Sequence, residues 1–313
     1  MIVTAVIVTY GDRFCFLEKV IFSLIEENVD KIVVVLNGIL KSSKDKIFLL
    51  QKNYPEIHLL DLGINTGSAG GFYNGIKKAI KLQTDFIWLL DDDNKPEKEA
   101  LHNLLKNTSD IAFNHQKDAL LSFRKDRPLY LSAKNNNNGS LMLKEQNAAL
   151  GFSVFSSKTS FSNYNKKGLK VAPYGGLFFH KDLIDKIGLP DQSYFLYGDD
   201  FDFSIRISKN NGKILLVEES EITDIEKSFH LKEKKWYQTR FHLTDNYLLI
   251  EYSVKNGIVF ELSHIVKLKL NYIINLFLYS LIVSFLLLLS LELKKTKAFL
   301  KGVFRGYAKA NKS

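Results

Sequence analysis

Asp85-Phe86-Ile87-Trp88-Leu89-Leu90-Asp91-Asp92-Asp93 is an apolar, partly aromatic run that stops at three acids. Such a run reads as a buried strand, and open α/β sheets bind ligands outside the carboxyl ends of their strands. The aspartates therefore stand where a ligand would. In an extended chain alternate side chains face opposite sides, so Asp91 and Asp93 would share one side and Asp92 the other. Two carboxylates on one side can share a hard cation, and a cation held that way can bind a diphosphate. A solvated acidic turn before a helix opening at Pro96 accounts for the same residues without a ligand, with Glu97 and Glu99 in a first turn where the helix dipole favours acids.

Outward from this stretch, Ile2 to Tyr10 predicts a first strand. Phe14 to Glu27 has helical spacing at Leu17, Val20, Ile21, Leu24 and Ile25. Lys31 to Leu36 is a second strand ending at Asn37-Gly38, Ile57 to Leu62 a third, and the run ending at Leu90 a fourth, with helical patterns between. Strands alternating with helices predict an α/β fold, a parallel, doubly wound sheet with ligand loops along one edge. Before the fourth strand lies Asn65-Thr66-Gly67-Ser68-Ala69-Gly70-Gly71-Phe72-Tyr73-Asn74-Gly75, a glycine-rich loop running into a helix. Its backbone N–H groups can approach phosphate or sugar oxygens, although glycines at such a turn also serve the turn alone. The loop is neither GxGxxG nor a phosphate loop ending in Gly-Lys-Ser/Thr, which removes the best evidence for a nicotinamide or ATP site.

A third cluster runs from Ala172-Pro173-Tyr174-Gly175-Gly176 to Tyr197-Gly198-Asp199-Asp200. Phe201 with Ile205, and Asp202 with Arg206, fall at i,i+4 on a helix that the Gly198 turn would start. Aspartates at a helix start are explained by capping alone. A second acid cluster beside Gly-Gly and an aromatic also suits a metal-dependent group transfer, in which one carboxylate set holds cation and leaving group and another takes the nucleophile's proton.

Taken in order, Thr9-Tyr10-Gly11-Asp12-Arg13, Asn37-Gly38, the Asn65 to Gly75 loop, Asp91-Asp92-Asp93, Ala172 to Gly176 and Gly198-Asp199-Asp200 resemble the inverting glycosyltransferases of family 2. More narrowly, residues 1 to 250 look like the bacterial galactofuranosyl- and rhamnosyltransferases that build surface polysaccharides. The resemblance implies a GT-A fold, a Rossmann-like nucleotide-binding sheet fused to an acceptor-binding half. That domain is expected over residues 1–235, with a helical, membrane-associating region over 236–313. Thr9, Tyr10, Arg13 and Asn37 would then line the nucleoside pocket and Asn65, Gly67, Gly70 and Gly71 the nucleotide-sugar loop, with Asp92 near the ribose or the donor sugar. Asp91, Asp93 and His230 would hold Mn²⁺ or Mg²⁺. Gly175, Gly176, Tyr197 and Asp199 would face the sugar or the acceptor, and Asp200 would be the general base. The implied donor is UDP-galactofuranose, or dTDP-L-rhamnose as the alternative, and the implied acceptor is a lipid-linked saccharide of an O-antigen, capsule or cell wall. Leu36 departs from the acid that the family usually has before Asn-Gly, and Tyr197 from the Trp of many relatives, though Tyr still stacks on a sugar ring. A nucleotidyl- or phosphotransferase would use similar acids, and an inactive sugar-binding subunit would keep the fold.

Composition bounds these readings. The 313 residues carry a net charge of +9 and one cysteine, Cys15, expected as a small buried apolar residue of the first helix. One cysteine excludes a disulfide scaffold. Met1 leads into a strand without a basic signal-peptide region, so the catalytic part is expected in the cytoplasm. Residues 106–168, including Leu150 to Phe155, break the regular pattern and are expected as acceptor-side strands and loops. Leu270 to Leu291 holds no formal charge and is followed by Lys294, Lys295, Lys297, Lys301, Arg305, Lys309 and Lys312. A single span would place these cations opposite a cytoplasmic catalytic domain, against the positive-inside tendency. A helix or helical pair lying in the cytoplasmic leaflet's interface, its basic tail on anionic lipid, is the expectation. A true span and a buried core pair are the alternatives. No zinc, helix-turn-helix or RNP-type motif supports nucleic acid as the partner of the positive charge.

Overall fold

The computed structural model describes residues 1–110, 112–125, 127, 130, 147–155, 169–226 and 238–311. The chain forms two compact units, the first of Met1–Met142, Tyr164–Phe195 and Asp200–Lys227, the second of Leu143–Asn163, Leu196–Asp199 and Ser228–Ser313.

In the first unit β1 (Val3–Gly11), α1 (Phe14–Glu26), β2 (Lys31–Ile39), α2 (Lys41–Asn53), β3 (Ile57–Asp61), α3 (Gly67–Lys81) and β4 (Phe86–Asp91) follow the expected alternation. β1 lies between β2 and β4, all parallel, with Val6 opposite both Val33 and Leu89. The middles of these strands are almost wholly apolar because both faces are covered. Ala5, Ile7, Val34, Trp88 and Leu90 pack on Leu17, Val20, Ile21 and Leu24 of α1. Val6, Val33, Val35, Ile87 and Leu89 pack on Phe72, Ile76 and Ala79 of α3. Each fully buried side chain of this kind contributes about 1.5–3 kcal/mol.

β1 to β4 form the expected parallel sheet, and beyond β4 the sheet is mixed. β5 (Asn94–Pro96), β6 (Ala119–Phe123), β7 (Leu177–His180) and β8 (Ile214–Asp224) complete the order β3-β2-β1-β4-β7-β6-β8-β5. β7 runs antiparallel to β4 and β6, β6 and β8 are parallel, and β5 is antiparallel to β8. Pro96 does not open a helix: it pairs with Ile222 at this short edge, and α4 (Ala100–Thr108) starts four residues later. Pro suits a sheet edge as well as a helix start, since both leave its missing N–H unused. Cys15 is exposed. It stands two residues before Leu17, about 200° away on the helix, and so faces outward. α5 (Leu183–Ile187) and α6 (Asp199–Lys209) follow β7, the latter starting at the Gly198 turn as expected.

The second unit is helical: α7 (Tyr247–His264), α8 (Lys269–Leu289) and α9 (Leu293–Ala310) close on Phe241, Val254, Ile258, Tyr272, Leu276 and Phe299. Gly302 and Gly306 let α9 approach α7, since a Cβ at either would come within 2.8 Å and 2.7 Å of the Glu251 and Lys255 carbonyl oxygens. Leu150 to Phe155 is not a strand. Ala149 and Phe152 exchange 2.8 Å hydrogen bonds across a turn, and Leu150 fills the helical core, so its apolar character reflects burial rather than sheet pairing.

Candidate active site

Asp91 is the last residue of β4 and pairs with Val8 of β1. After it the chain turns over Asp92 and Asp93 instead of staying extended, so the three carboxylates do not simply alternate. Asp92 points inward: its Oδ2 accepts from the Thr9 hydroxyl at 2.7 Å, and both oxygens accept from Arg13 Nε at 2.9 Å. Arg13 also pairs with Glu226 at 2.7 Å and lies over the Tyr10 and Phe16 rings. Thr9, Tyr10, Arg13 and Asp92 therefore form one brace joining the ends of β1 and β4. Burial pushes the Asp92 carboxyl up to about 6, against the lowering by Arg13 and Thr9.

Asp91 and Asp93 stay more open. The Asp91 side chain is 47 % exposed, with Arg124 Nη2 at 3.5 Å, and its backbone N–H donates to Asn94 Oδ1 at 3.1 Å. Behind it lies a network absent from the sequence reading. Arg124 Nη2 donates to Asn94 Oδ1 at 2.5 Å, Arg124 Nε is 3.3 Å from Asp224 Oδ1, Asn94 Nδ2 donates to Asp224 Oδ1 at 2.9 Å, and Arg127 Nε donates to Asp224 Oδ2 at 2.7 Å. Arg124 and Asp224 are almost fully buried, so each charge depends on the other. A signal was available for Arg124, which directly follows the short apolar strand β6, but not for Asp224, which ends β8 behind the largely polar run Glu218 to Thr223.

Asp93 Oδ1 accepts from Asn94 Nδ2 at 3.4 Å. Burial, then repulsion from Asp91, Asp92 and Asp224, raise its carboxyl to about 7. Among the described residues no three His, Cys, Asp or Glu are gathered as a ligand set. Two carboxylates are nevertheless what Mg²⁺ or Mn²⁺ takes from a protein when substrate phosphates complete its shell, and the repulsion on Asp93 is charge that a cation would neutralise. The residues fit such an ion. His230 lies outside the described residues.

The glycines acquire packing reasons. Gly67, Gly70 and Gly71 belong to the first turns of α3 rather than to a loop. A Cβ on Gly67 (φ +73°) would overlap the Phe195 carbonyl, and one on Gly71 would lie 2.5 Å from Val8. Asn37 is buried and holds this turn, donating to Gly67 O at 2.9 Å and accepting from the Thr66 N–H at 2.8 Å, while Asn65 Oδ1 accepts from the Gly67 N–H at 2.8 Å. A Cβ on Gly175 would overlap Asn94 Oδ1 and Arg124 Nη2, and Gly176 (φ +95°) donates to Leu89 O at 2.8 Å. Gly175→Ala is expected to force the Arg124 network apart at about 1–3 kcal/mol, lowering the melting temperature by several degrees; an unchanged value would refute this packing.

At the second acid cluster Tyr197 (φ +67°) and Gly198 (φ +78°) make the turn before α6. Asp199 is buried, whereas Asp200 is partly exposed and its Oδ1 accepts from the Phe201 N–H at 2.9 Å. The predicted Asp202–Arg206 pair forms at 3.4 Å.

Comparison with known proteins agrees with the fold. Glycosyl transferase family 2 matches residues 4–170, which hold β1 to β6. Galactofuranosyltransferase GlfT1 of Mycolicibacterium smegmatis is 26 % identical over 148 residues, 47 % of this chain and 46 % of that protein, so the chain spans about half the length of this curated relative. A mannosyltransferase, PcManGT from Pyrobaculum calidifontis, solved with GDP-Man and Mn²⁺, superposes with a TM-score of 0.54 at 12 % identity, over 83 % of this chain and 63 % of that one. GalNAc-T7, solved with UDP, GalNAc and Mn²⁺, gives 0.55 at 13 %, over 83 % and 48 %. At such identities these likenesses establish the fold alone, which is GT-A. Because the family match covers more than half of the chain and includes the acid-bearing end of β4, the chain belongs to glycosyl transferase family 2.

Proposed function

We propose that this protein is an inverting, metal-dependent glycosyltransferase moving a sugar from a nucleotide-diphosphate donor to a hydroxyl of a lipid-linked saccharide. The observation that carries the reading is the carboxyl end of β4, where Asp91 and Asp93 stand open beside a fixed Asp92–Arg13 brace and a buried Arg124–Asp224 pair. Asp91 and Asp93, with His230 as a third candidate, would hold Mn²⁺ or Mg²⁺, which supplies neutralisation of the charge growing on the diphosphate leaving group. Thr9 and Arg13 hold Asp92 as a buried brace beneath the proposed donor site, and the α3 start with Asn37 and Asn65 shapes the neighbouring wall. Asp200 takes the acceptor hydroxyl's proton as that oxygen attacks the face of the anomeric carbon opposite the leaving group. One displacement inverts the configuration and needs no covalent nucleophile.

The favoured donor is UDP-galactofuranose, supported by the GlfT1 likeness, with dTDP-L-rhamnose as the alternative. The neighbours solved with GDP-Man or UDP support a nucleotide-sugar donor in general. Residues 1–235 would carry the transfer and 236–313 the association with the cytoplasmic membrane face, where α8 is long and apolar enough to cross a bilayer. A thermal-shift screen of nucleotide sugars tests the reading. A donor at a hundredfold its Kd adds about 2.7 kcal/mol to stability, so UDP-galactofuranose with Mn²⁺ is expected to raise the melting temperature by several degrees, and less in EDTA. Protection by ATP alone would favour a phosphotransferase, and protection by no nucleotide sugar would sink the reading.

A further inference from the structure

The C-terminal helical unit leaves one continuous apolar face uncovered, and the geometry points to an anionic bilayer surface as its occupant, with α8 and α9 lying in the membrane plane rather than crossing it. This inference stands apart from the transfer reading, since it uses only the helical unit.

Leu270, Ile273, Phe277, Leu281, Phe285 and Leu288 are exposed and recur every three or four residues, which places them on one stripe of α8. Phe277 and Phe285 are 62 % and 61 % exposed. Leu293, Leu300 and the 76 % exposed Phe304 form a matching stripe on α9. Between the helices lies a groove of about 530 Å³ lined by Leu288, Leu293, Thr296, Lys297, Leu300 and Lys301. Scattered exposed apolar residues need no explanation, but a contiguous face marks an interaction site.

Charge selects the occupant. α9 carries Lys294, Lys295, Lys297, Lys301, Arg305 and Lys309 and no acid. At 100° per residue Lys294 and Lys297 fall beside the Leu293–Leu300–Phe304 stripe, so their stems can lie along the apolar face while their charges reach lipid phosphates, whereas Lys301 and Arg305 pair with Glu251. A second copy docking through the same face would bring like charges together, which disfavours a symmetric dimer.

The other side of α8 argues against a span. Tyr272 is buried and donates to Glu261 at 2.9 Å, and Glu261 accepts from the Leu150 N–H at 2.9 Å. Asn275, also buried, donates to Asn147 O at 2.9 Å and accepts from the Val154 N–H at 2.9 Å. These ties hold loop backbone and a carboxylate against the first third of the helix, and Val283 and Leu287 keep its later turns packed in the same helical core, so a span would require the helix to leave that core. Lying flat keeps every tie and buries the exposed stripe.

The test is flotation of the full chain, without donor or metal, with vesicles of neutral phosphatidylcholine and with vesicles about one-third phosphatidylglycerol. Binding is expected on the anionic vesicles at low salt, weakened by raised salt and at least about tenfold weaker on neutral ones. Lys294→Gln with Lys297→Gln, both outside the Lys301–Arg305–Glu251 pairing, should lose about tenfold. Phe277→Glu with Phe285→Glu should abolish binding, and alkaline carbonate should release the bound wild type. Equal binding to both vesicle types, retention through carbonate as a spanning helix would show, or full binding by the lysine variant would overturn the inference. Absence of vesicle binding alongside intact sugar transfer would overturn it while leaving the transfer reading in place.

Discussion

Asp93→Asn is expected to remove sugar transfer and, in the absence of metal, to make the protein more stable at neutral pH. Both effects come from one arrangement, in which burial and the carboxylates of Asp91, Asp92 and Asp224 hold the Asp93 carboxyl at about 7. An unfolded aspartate titrates near about 3.9. Between these values the folded chain keeps a proton that the unfolded chain has released, so stability falls as pH rises from about 4 to about 7, and the penalty is complete above that. Asparagine has no charge to penalise. In EDTA its gain over wild type should be small at pH 5 and largest at pH 8. Transfer moves the other way, because Asp93 is one of two open carboxylates proposed to hold the cation of the leaving group, and loss of several kcal/mol of charge stabilisation should lower turnover at least about a hundredfold at ordinary Mn²⁺ concentrations. Melting curves against pH and turnover against Mn²⁺ check both halves. Near wild-type turnover would remove Asp93 from the site, and an equal gain at pH 5 and pH 8 would show that charge is not the cause.

Asp200→Asn is expected to lose about 10²- to 10⁴-fold in turnover, the usual contribution of a general base within hydrogen-bond reach of its proton. Donor affinity should change little. Asp200 is partly exposed in the first turn of α6, whereas its neighbour Asp199 is buried. Asp199→Asn should therefore combine a stability loss of about 1 kcal/mol, typical of a helix-start residue, with a partial loss of activity. Turnover, donor affinity and melting temperature measured on both variants separate the two roles. Retention of more than roughly a tenth of wild-type turnover by Asp200→Asn, or a loss wholly due to weaker donor binding, ends the assignment.

Much of this molecule was readable without its fold, for a local reason. β1 to β4 and α1 declared themselves through largely apolar runs and helical spacing, and α6 through the Gly198 turn with Asp202 and Arg206 one turn apart. The triple aspartate at the end of a buried strand likewise needed only its neighbours. Short elements carry too few residues for a period to show. β7, four residues long, and β5, three, were invisible, and with them the antiparallel half of the sheet. Pro96 has the same chemistry at a helix start and at a sheet edge, so only its pairing with Ile222 decided between them.

By itself, the sequence determined the alternating parallel core, the position of the acids at a strand end, the start of α6 and the apolar, basic-ended character of the C-terminal region. Tertiary structure alone decided that Asp92 turns inward to Thr9 and Arg13 while Asp91 and Asp93 stay open, that Gly175 makes room for an Arg124–Asn94–Asp224 network, and that α8 buries one face and exposes the other. The division follows from distance along the chain: helices and strands arise from contacts a few residues apart, whereas Asn94 and Asp224 meet across 130 residues, and no local pattern records a charge whose partner is supplied by another strand.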